Sequence, residues 1–155
     1  MYTTLKFIHV MAAIVWIGAG FALAVVSVGL LRARDYAGAA ALGRQTEAFG
    51  KRVFGPSALI TLLAGIGMVL VGDLSWGETW ITVGLTGVAL SFVFGAVLGE
   101  RASRDLRTVL SGVTGDATAT IDDAEIAGLR RRLALMAGVD LLILTIVVWA
   151  MVAKP

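Results

Sequence analysis

The sequence predicts an all-α fold, a four-helix transmembrane bundle forming a single domain over residues 1–155. The chain is 58% hydrophobic and only 15% charged, whereas a soluble domain has about 45–50% apolar and about 25% charged residues. Its mean hydropathy of +0.89 is too high for a disordered chain. Four stretches almost free of charge have the length that a bilayer requires, roughly 20 residues each. Together these observations favour an integral membrane protein over a soluble one.

The four expected spans follow one another with short or helical connectors. We place them at 7–31, 53–72, 80–99 and 133–153. The alanine-rich segment 36–49 predicts a short helix at the inner membrane surface. The third span continues as a helix to about Ser111, because apolar residues keep a helical spacing beyond the membrane edge. After a turn, Thr120 is the expected N-cap of a helix that leads into the fourth span.

Basic residues predict the orientation of the chain. Eleven of the 13 Lys and Arg residues lie in the connectors after spans one and three, whereas the 73–79 connector has two acids and no base. Cytoplasmic loops carry the excess of Lys and Arg. We therefore expect the N- and C-termini outside, the basic helical connectors in the cytoplasm, and a location in the bacterial inner membrane. The basic residues are Arg32, Arg34, Arg44, Lys51, Arg52, Arg101, Arg104, Arg107, Arg130, Arg131 and Arg132.

The composition also excludes several kinds of chemistry. The chain has no Cys, which removes disulfides, iron–sulfur clusters, thiolate zinc sites and cysteine nucleophiles. A single His rules out a multi-histidine metal centre within one chain. The net charge of +2, with its basic residues at membrane edges, indicates a lipid bilayer rather than nucleic acid as the partner.

His9 is the first candidate functional residue. It lies in the outer part of span one, roughly 7 Å below the surface by helical rise, and shares a helix face with Ala13, Trp16 and Gly20. An imidazole beside small residues suits a helix that faces haem, and an ionisable residue at this depth is by default a functional hypothesis. The alternative is an interfacial His that hydrogen-bonds a neighbouring helix.

A second ligand would have to come from another residue type or from another chain. Met68 and Met151 lie near the depth of His9 on antiparallel spans, which permits a His/Met haem or a Cu(I) site with His9 as metal ligand. Membrane methionines also serve simply to fill gaps. Ligation by two His9 side chains would instead require a homodimer.

Asp140 is the second candidate. It lies eight residues beyond Arg132, roughly 12 Å into the core by helical rise, where an unpaired carboxylate is costly. Thr61 and Ser91 fall at a similar depth, so the three residues could form one polar cluster. The two interpretations are a proton-relay carboxyl and a hydrogen bond that joins helices.

The first span also carries a resemblance. Residues 5–18, LKFIHVMAAIVWIG, resemble a first-helix signature, roughly LKxxHxxxxxxWxxG, that is shared by several small bacterial membrane families. These include the copper-resistance D-type proteins and the HemJ-type protoporphyrinogen oxidases. Over nearly its whole length the chain is similar to an uncharacterised family of four-helix predicted integral membrane proteins, including at 52–56 and 75–80. The resemblance to HemJ-type proteins implies haem b binding by His9. Those oxidases also have a Lys early in the third helix, where this chain has the uncharged stretch 80–84, so the resemblance does not extend to the oxidase reaction.

These observations lead to one expected function and two alternatives. We expect a protein that binds haem b, or a related redox cofactor, through His9, with Asp140 as a proton carrier. The first alternative is a non-catalytic structural or accessory subunit of a membrane complex. The second is copper handling near the outer face.

Overall fold

The computed structural model describes residues 1–95, 97, 101, 104, 105, 107–109 and 123–154. Within these residues the chain is helical and has no β-strand. A π-helical segment, Gly50–Phe54, connects the second and third α-helices. The α-helices are α1 (Tyr2–Arg32), α2 (Tyr36–Phe49), α3 (Gly55–Val71), α4 (Thr79–Phe94) and α5 (Asp123–Ala153).

Three helical segments are long and apolar enough to cross a membrane: Tyr2–Arg32, Gly50–Val71 and Asp123–Ala153. They coincide closely with the expected first, second and fourth spans, which confirms an all-helical fold with three long apolar helices in the described part of the chain. The third expected span corresponds to α4, which is apolar but has only 16 residues. The count of four spans therefore stays a prediction.

The connector after α4 is only partly described. Arg101, Arg104, Asp105 and 107–109 are helical, in agreement with a helix that continues beyond the expected span. Residues 110–122, which include the expected end at Ser111 and the expected N-cap at Thr120, lie outside the described residues.

The helix expected over 36–49 is present as α2, but it does not end before the second span. Its last residue, Phe49, and the first residue of α3, Gly55, both have right-handed helical backbone angles, so the helical backbone is continuous from α2 to α3. The N–H of Gly55 donates to the carbonyl oxygen of Gly50, five residues back. Pro56 cannot donate a backbone hydrogen bond and crowds the carbonyl four residues before it. The wider π turn accommodates this proline without interrupting the helix.

The helices pack as two antiparallel pairs. In the first pair, Tyr2 of α1 lies beside Gly72 after α3, while Gly20 lies beside Phe54 at the other end. In the second pair, Gly84 of α4 lies against Met151 of α5. Tight approach at glycine is how helices associate in lipid, where no hydrophobic force drives them together.

A central cluster joins the two pairs. Trp16 of α1 is 9% exposed and packs with apolar residues of α3, α4 and α5. The cluster comprises Trp16, Ala58, Val88, Leu144 and Val147. Because the members of this cluster lie at about the same level along the helix axes, they align α1, α3, α4 and α5 with one another.

A second cluster forms at the end of the helices that carries most of the arginines, called here the basic end. It comprises Leu31, Ala39, Ala40, Ile126 and Leu129, from the end of α1, from α2 and from the start of α5. An ion pair between Arg34 and Asp123, 2.9 Å between Nη2 and Oδ2, lies beside it. The opposite end, where Lys154 lies 5.2 Å from the centre of the Trp80 ring, is called the connector end.

Candidate functional site

His9 is held between α1 and α3 by a hydrogen bond to the backbone. Its side chain is 9% exposed, and Nδ1 lies 2.7 Å from the carbonyl oxygen of Thr61. A carbonyl oxygen can only accept, so Nδ1 carries the proton and donates it. In a neutral imidazole this bond places the lone pair on the other nitrogen, Nε2.

Nε2 is left available by this arrangement. His9 makes no hydrogen bond through Nε2 among the described residues, and no side-chain nitrogen or oxygen in that part of the chain is fully buried without a partner. Nε2 therefore reaches the accessible surface of the helix pair. A histidine that ligates a metal characteristically donates its other N–H to a carbonyl or carboxylate, which is the arrangement seen at His9.

Gly65 makes room for the imidazole. A Cβ atom at this position would lie 3.3 Å from both Cε1 and Nδ1 of His9, which is shorter than most contacts that Cβ atoms make in proteins. Two residues further on, a Cβ at Gly67 would lie 3.3 Å from Leu5. The glycines of α3 thus form a groove that receives successive turns of α1.

The two methionines occupy different surroundings. Met68 follows Gly65 by three residues on α3 and so lies on the same side of that helix, about 4.5 Å nearer the connector end by helical rise. Met151 packs against the central cluster, with its methyl group at Gly84. Met151 therefore fills space between α4 and α5, and Met68 is on the helix that contacts His9.

Asp140 and Ser91 form the polar contact of the second helix pair. The Ser91 hydroxyl donates to Oδ1 of Asp140, and Ser91 is only 3% exposed. The prediction that Thr61 completes this cluster is wrong: its hydroxyl donates to the carbonyl oxygen of Ser57 at 2.8 Å, and its own carbonyl accepts from His9. Thr61 belongs to the other helix pair and lies on the connector side of the central cluster, whereas Asp140 lies on its basic side.

Sequence reasoning missed two features of the His9 site. The backbone acceptor at Thr61 carries no signal in residue type, because every residue has a carbonyl. No sequence pattern indicated that Gly65 is the neighbour of His9. Among the described residues, no three His, Cys, Asp or Glu side chains form a group that could hold a metal ion, so a metal at His9 would need other ligand types.

The tryptophans lie where interfacial and core residues are expected. Trp76 and Trp149 are 50% and 62% exposed, consistent with an aromatic belt, and Trp80 lies beneath Lys154. Trp16 is instead a core residue.

Comparison with known proteins identifies a family. A family model described as "Predicted integral membrane protein (DUF2269)" matches residues 3–155, almost the entire chain. No curated protein and no solved structure matches it.

Proposed function

We propose that this chain, which belongs to the DUF2269 family of integral membrane proteins, binds haem b or a related redox cofactor through His9. The observation that carries the proposal is the hydrogen bond from Nδ1 to the Thr61 carbonyl, 2.7 Å long. It fixes the tautomer in which Nε2 is a ligand and holds the ring in one orientation. The likeness of residues 5–18 to the first helix of HemJ-type proteins supports the same assignment.

The residues around His9 fit an axial ligand. A neutral imidazole with one nitrogen bound to the protein and the other accessible is a donor for iron. When bound, haem b would supply one-electron redox chemistry. The chain would contribute His9 as the iron ligand, the orientation of its ring by the Thr61 carbonyl, and Gly65 of α3, which leaves room for the imidazole.

Met68 is the candidate second ligand within the chain. It lies on the helix that holds His9 in place, whereas Met151 is packed at Gly84. The alternative source of a second ligand is His9 of another copy, which would make the protein a homodimer around the cofactor.

The first test is the absorption spectrum of the purified protein, oxidised and then reduced with dithionite, before and after addition of hemin. We expect a Soret band that shifts on reduction. His9→Ala and His9→Gln should both abolish it, because neither side chain ligates iron, while Met68→Leu should alter the band and Met151→Leu should not. A colourless protein after hemin addition, or an unchanged band in His9→Gln, would contradict haem binding at His9.

A structural role for His9 is the second candidate, and the same hydrogen bond favours it. Glutamine keeps an N–H donor for the Thr61 carbonyl, whereas alanine does not. If His9 serves only to join helices, the protein stays colourless and His9→Gln retains most of the thermal stability that His9→Ala loses.

Metal analysis of the colourless protein then distinguishes a copper-handling protein from an accessory subunit, since a Cu(I) site would use the same imidazole with thioether sulfur.

We also propose that the protein resides in the bacterial inner membrane with four spans, both termini outside and the basic connectors in the cytoplasm. The asymmetry of the basic residues supports this orientation.

A further inference from the structure

Asp140 lies apart from the site proposed around His9. Its neighbour one turn along α5, Leu144, is in the central cluster with Trp16. His9 lies two turns from Trp16 toward the connector end, and Asp140 lies one turn from Leu144 toward the basic end. The two side chains are thus separated by roughly 16 Å along the helix axes. Any role of Asp140 must be built from its own surroundings.

Among the described residues, no charged group faces the Asp140 carboxyl from the helices packed around it. Helices α3 and α4 contain no titratable residue, and α1 has none between His9 and Arg32. On α5 the nearest is Arg132, eight residues away, or about 12 Å by helical rise. Beyond α4, the first charged residues in the sequence are Glu100 and Arg101, nine and ten residues from Ser91. A carboxylate charge here has no cation to balance it, and such charges inside a membrane are expensive.

The hydrogen bonding of the carboxyl leaves one oxygen for a proton. Oδ1 accepts from the Ser91 hydroxyl. Asp140 is only partly buried, and none of its oxygens is sealed from solvent without a partner. Oδ2 is therefore accessible and can carry a proton or release it, while Ser91 stabilises the carboxylate that remains.

The space beside this pair is closed on one side and open on the other. Toward the connector end, a Cβ atom at Gly84 would lie 2.5 Å from Met151, and one at Gly87 would overlap Val147. Toward the basic end, Gly95 lies one turn from Ser91 on the same side of α4, is exposed, and has no atom within 4 Å of its Cβ position. The helix pair is therefore closely packed on the connector side of the carboxyl and open beside Gly95 on the basic side, which is the side from which water would approach.

We infer that Asp140 and Ser91 form a proton-binding site inside the membrane that exchanges its proton with water at the basic end of the helices. In the exchange, the O–H bond at Oδ2 breaks, the proton passes to a water molecule, and the carboxylate keeps the electron pair. Rebinding reverses these changes, so no other reactant is required.

Infrared difference spectroscopy of the full chain in lipid nanodiscs tests this site. We expect one carboxylic C=O band at neutral pH that is absent from Asp140→Asn, shifts in D₂O, and gives way to carboxylate bands at alkaline pH. Ser91→Ala should move the band to higher frequency, because the carboxyl loses a hydrogen bond. Asparagine keeps an acceptor for Ser91, so this variant should fold, and circular dichroism checks that it does.

A wild-type protein without a protonated carboxyl band at neutral pH would overturn the inference. A band that responds neither to D₂O nor to alkaline pH would also overturn it, since the carboxyl would then serve only to join α4 to α5.

Two further variants test whether the proton exchanges through the open surface beside Gly95. Gly95→Leu places a side chain in the open space beside Ser91 and should slow deuterium exchange of the band several-fold. Gly138→Leu is the matched control, because Gly138 also has nothing within 4 Å of its Cβ position but points away from Asp140 on α5. Equal exchange rates in the two variants would refute access through the Gly95 side.

Discussion

The position of the His9 ring depends on a glycine across the helix interface. A methyl group at Gly65 would lie 3.3 Å from Cε1 and Nδ1 of His9. Gly65→Ala should displace the imidazole by a few tenths of an ångström and weaken its bond to Thr61, at a cost of about 1 kcal/mol. Thermal unfolding in detergent measures this loss. Gly18→Ala, on α1 with nothing within 4 Å of its Cβ position, is the control that should not be destabilised, and an equal loss in both variants would show that the contact is unimportant.

At this scale the sequence identified the unusual side chains but not all of their partners. His9 and Asp140 stand out because ionisable residues are rare in apolar helices. Counting residues from the helix ends also paired Asp140 with Ser91, since antiparallel helices place equal depths together. The same counting placed Thr61 with them incorrectly, because Thr61 lies three residues beyond Ala58 toward the connector end, whereas Asp140 lies four residues from Leu144 toward the basic end.

At the scale of helices, the fit of α4 against α5 depends on Gly87. A Cβ atom there would overlap the side chain of Val147, which belongs to the central cluster. Gly87→Ala should force the helices apart and destabilise the protein by about 1–3 kcal/mol. Adding Val147→Ala should recover part of that loss, because the shorter side chain makes room for the new methyl group.

Unfolding in detergent of the two single variants and the double variant gives the coupling between positions 87 and 147. Strictly additive losses would mean that the helices do not meet at this point. Gly138→Ala, which adds a methyl group in open space, controls for the change from glycine to alanine itself.

The helices themselves were largely predictable, and their junctions were not. Long apolar stretches located α1, α3 and α5 because a bilayer demands length and hydrophobicity together. The continuity from α2 to α3 was missed since a proline usually ends a helix. The local widening at Gly50–Phe54 that accommodates Pro56 depends on backbone geometry that composition does not reveal.

At the scale of the whole molecule, the described residues form two helix pairs, and each pair has a polar side-chain contact within its apolar interface. His9 bonds to Thr61 in the first pair, and Ser91 bonds to Asp140 in the second. Trp16 contributes to the cluster that joins them. Close glycine packing lies beside each polar contact, so the contact adds a specific alignment to an interface that is otherwise apolar. The separation of the two sites is compatible with the two roles proposed for them, cofactor binding at His9 and proton exchange at Asp140.

The number of membrane crossings decides on which side the C-terminus lies. Ser75, between α3 and α4, and Lys154, after α5, lie at the same end of the helices, since Lys154 stacks over Trp80. If α4 crosses the membrane, both residues face the outside, whereas Gln45 on α2 faces the cytoplasm. Were α4 not to cross, Lys154 would lie on the side opposite Ser75.

Because the chain has no cysteine, single-cysteine variants at these three exposed positions report on topology without interference. With a membrane-impermeant thiol reagent on intact cells, we expect Ser75→Cys and Lys154→Cys to be labelled at once. Gln45→Cys should react only after the membrane is permeabilised, because the positive-inside rule places its basic neighbours in the cytoplasm. If Ser75→Cys is labelled and Lys154→Cys is not, the chain crosses the membrane three times. In that case α4 and α5, which pair through Ser91 and Asp140, cannot both be membrane spans.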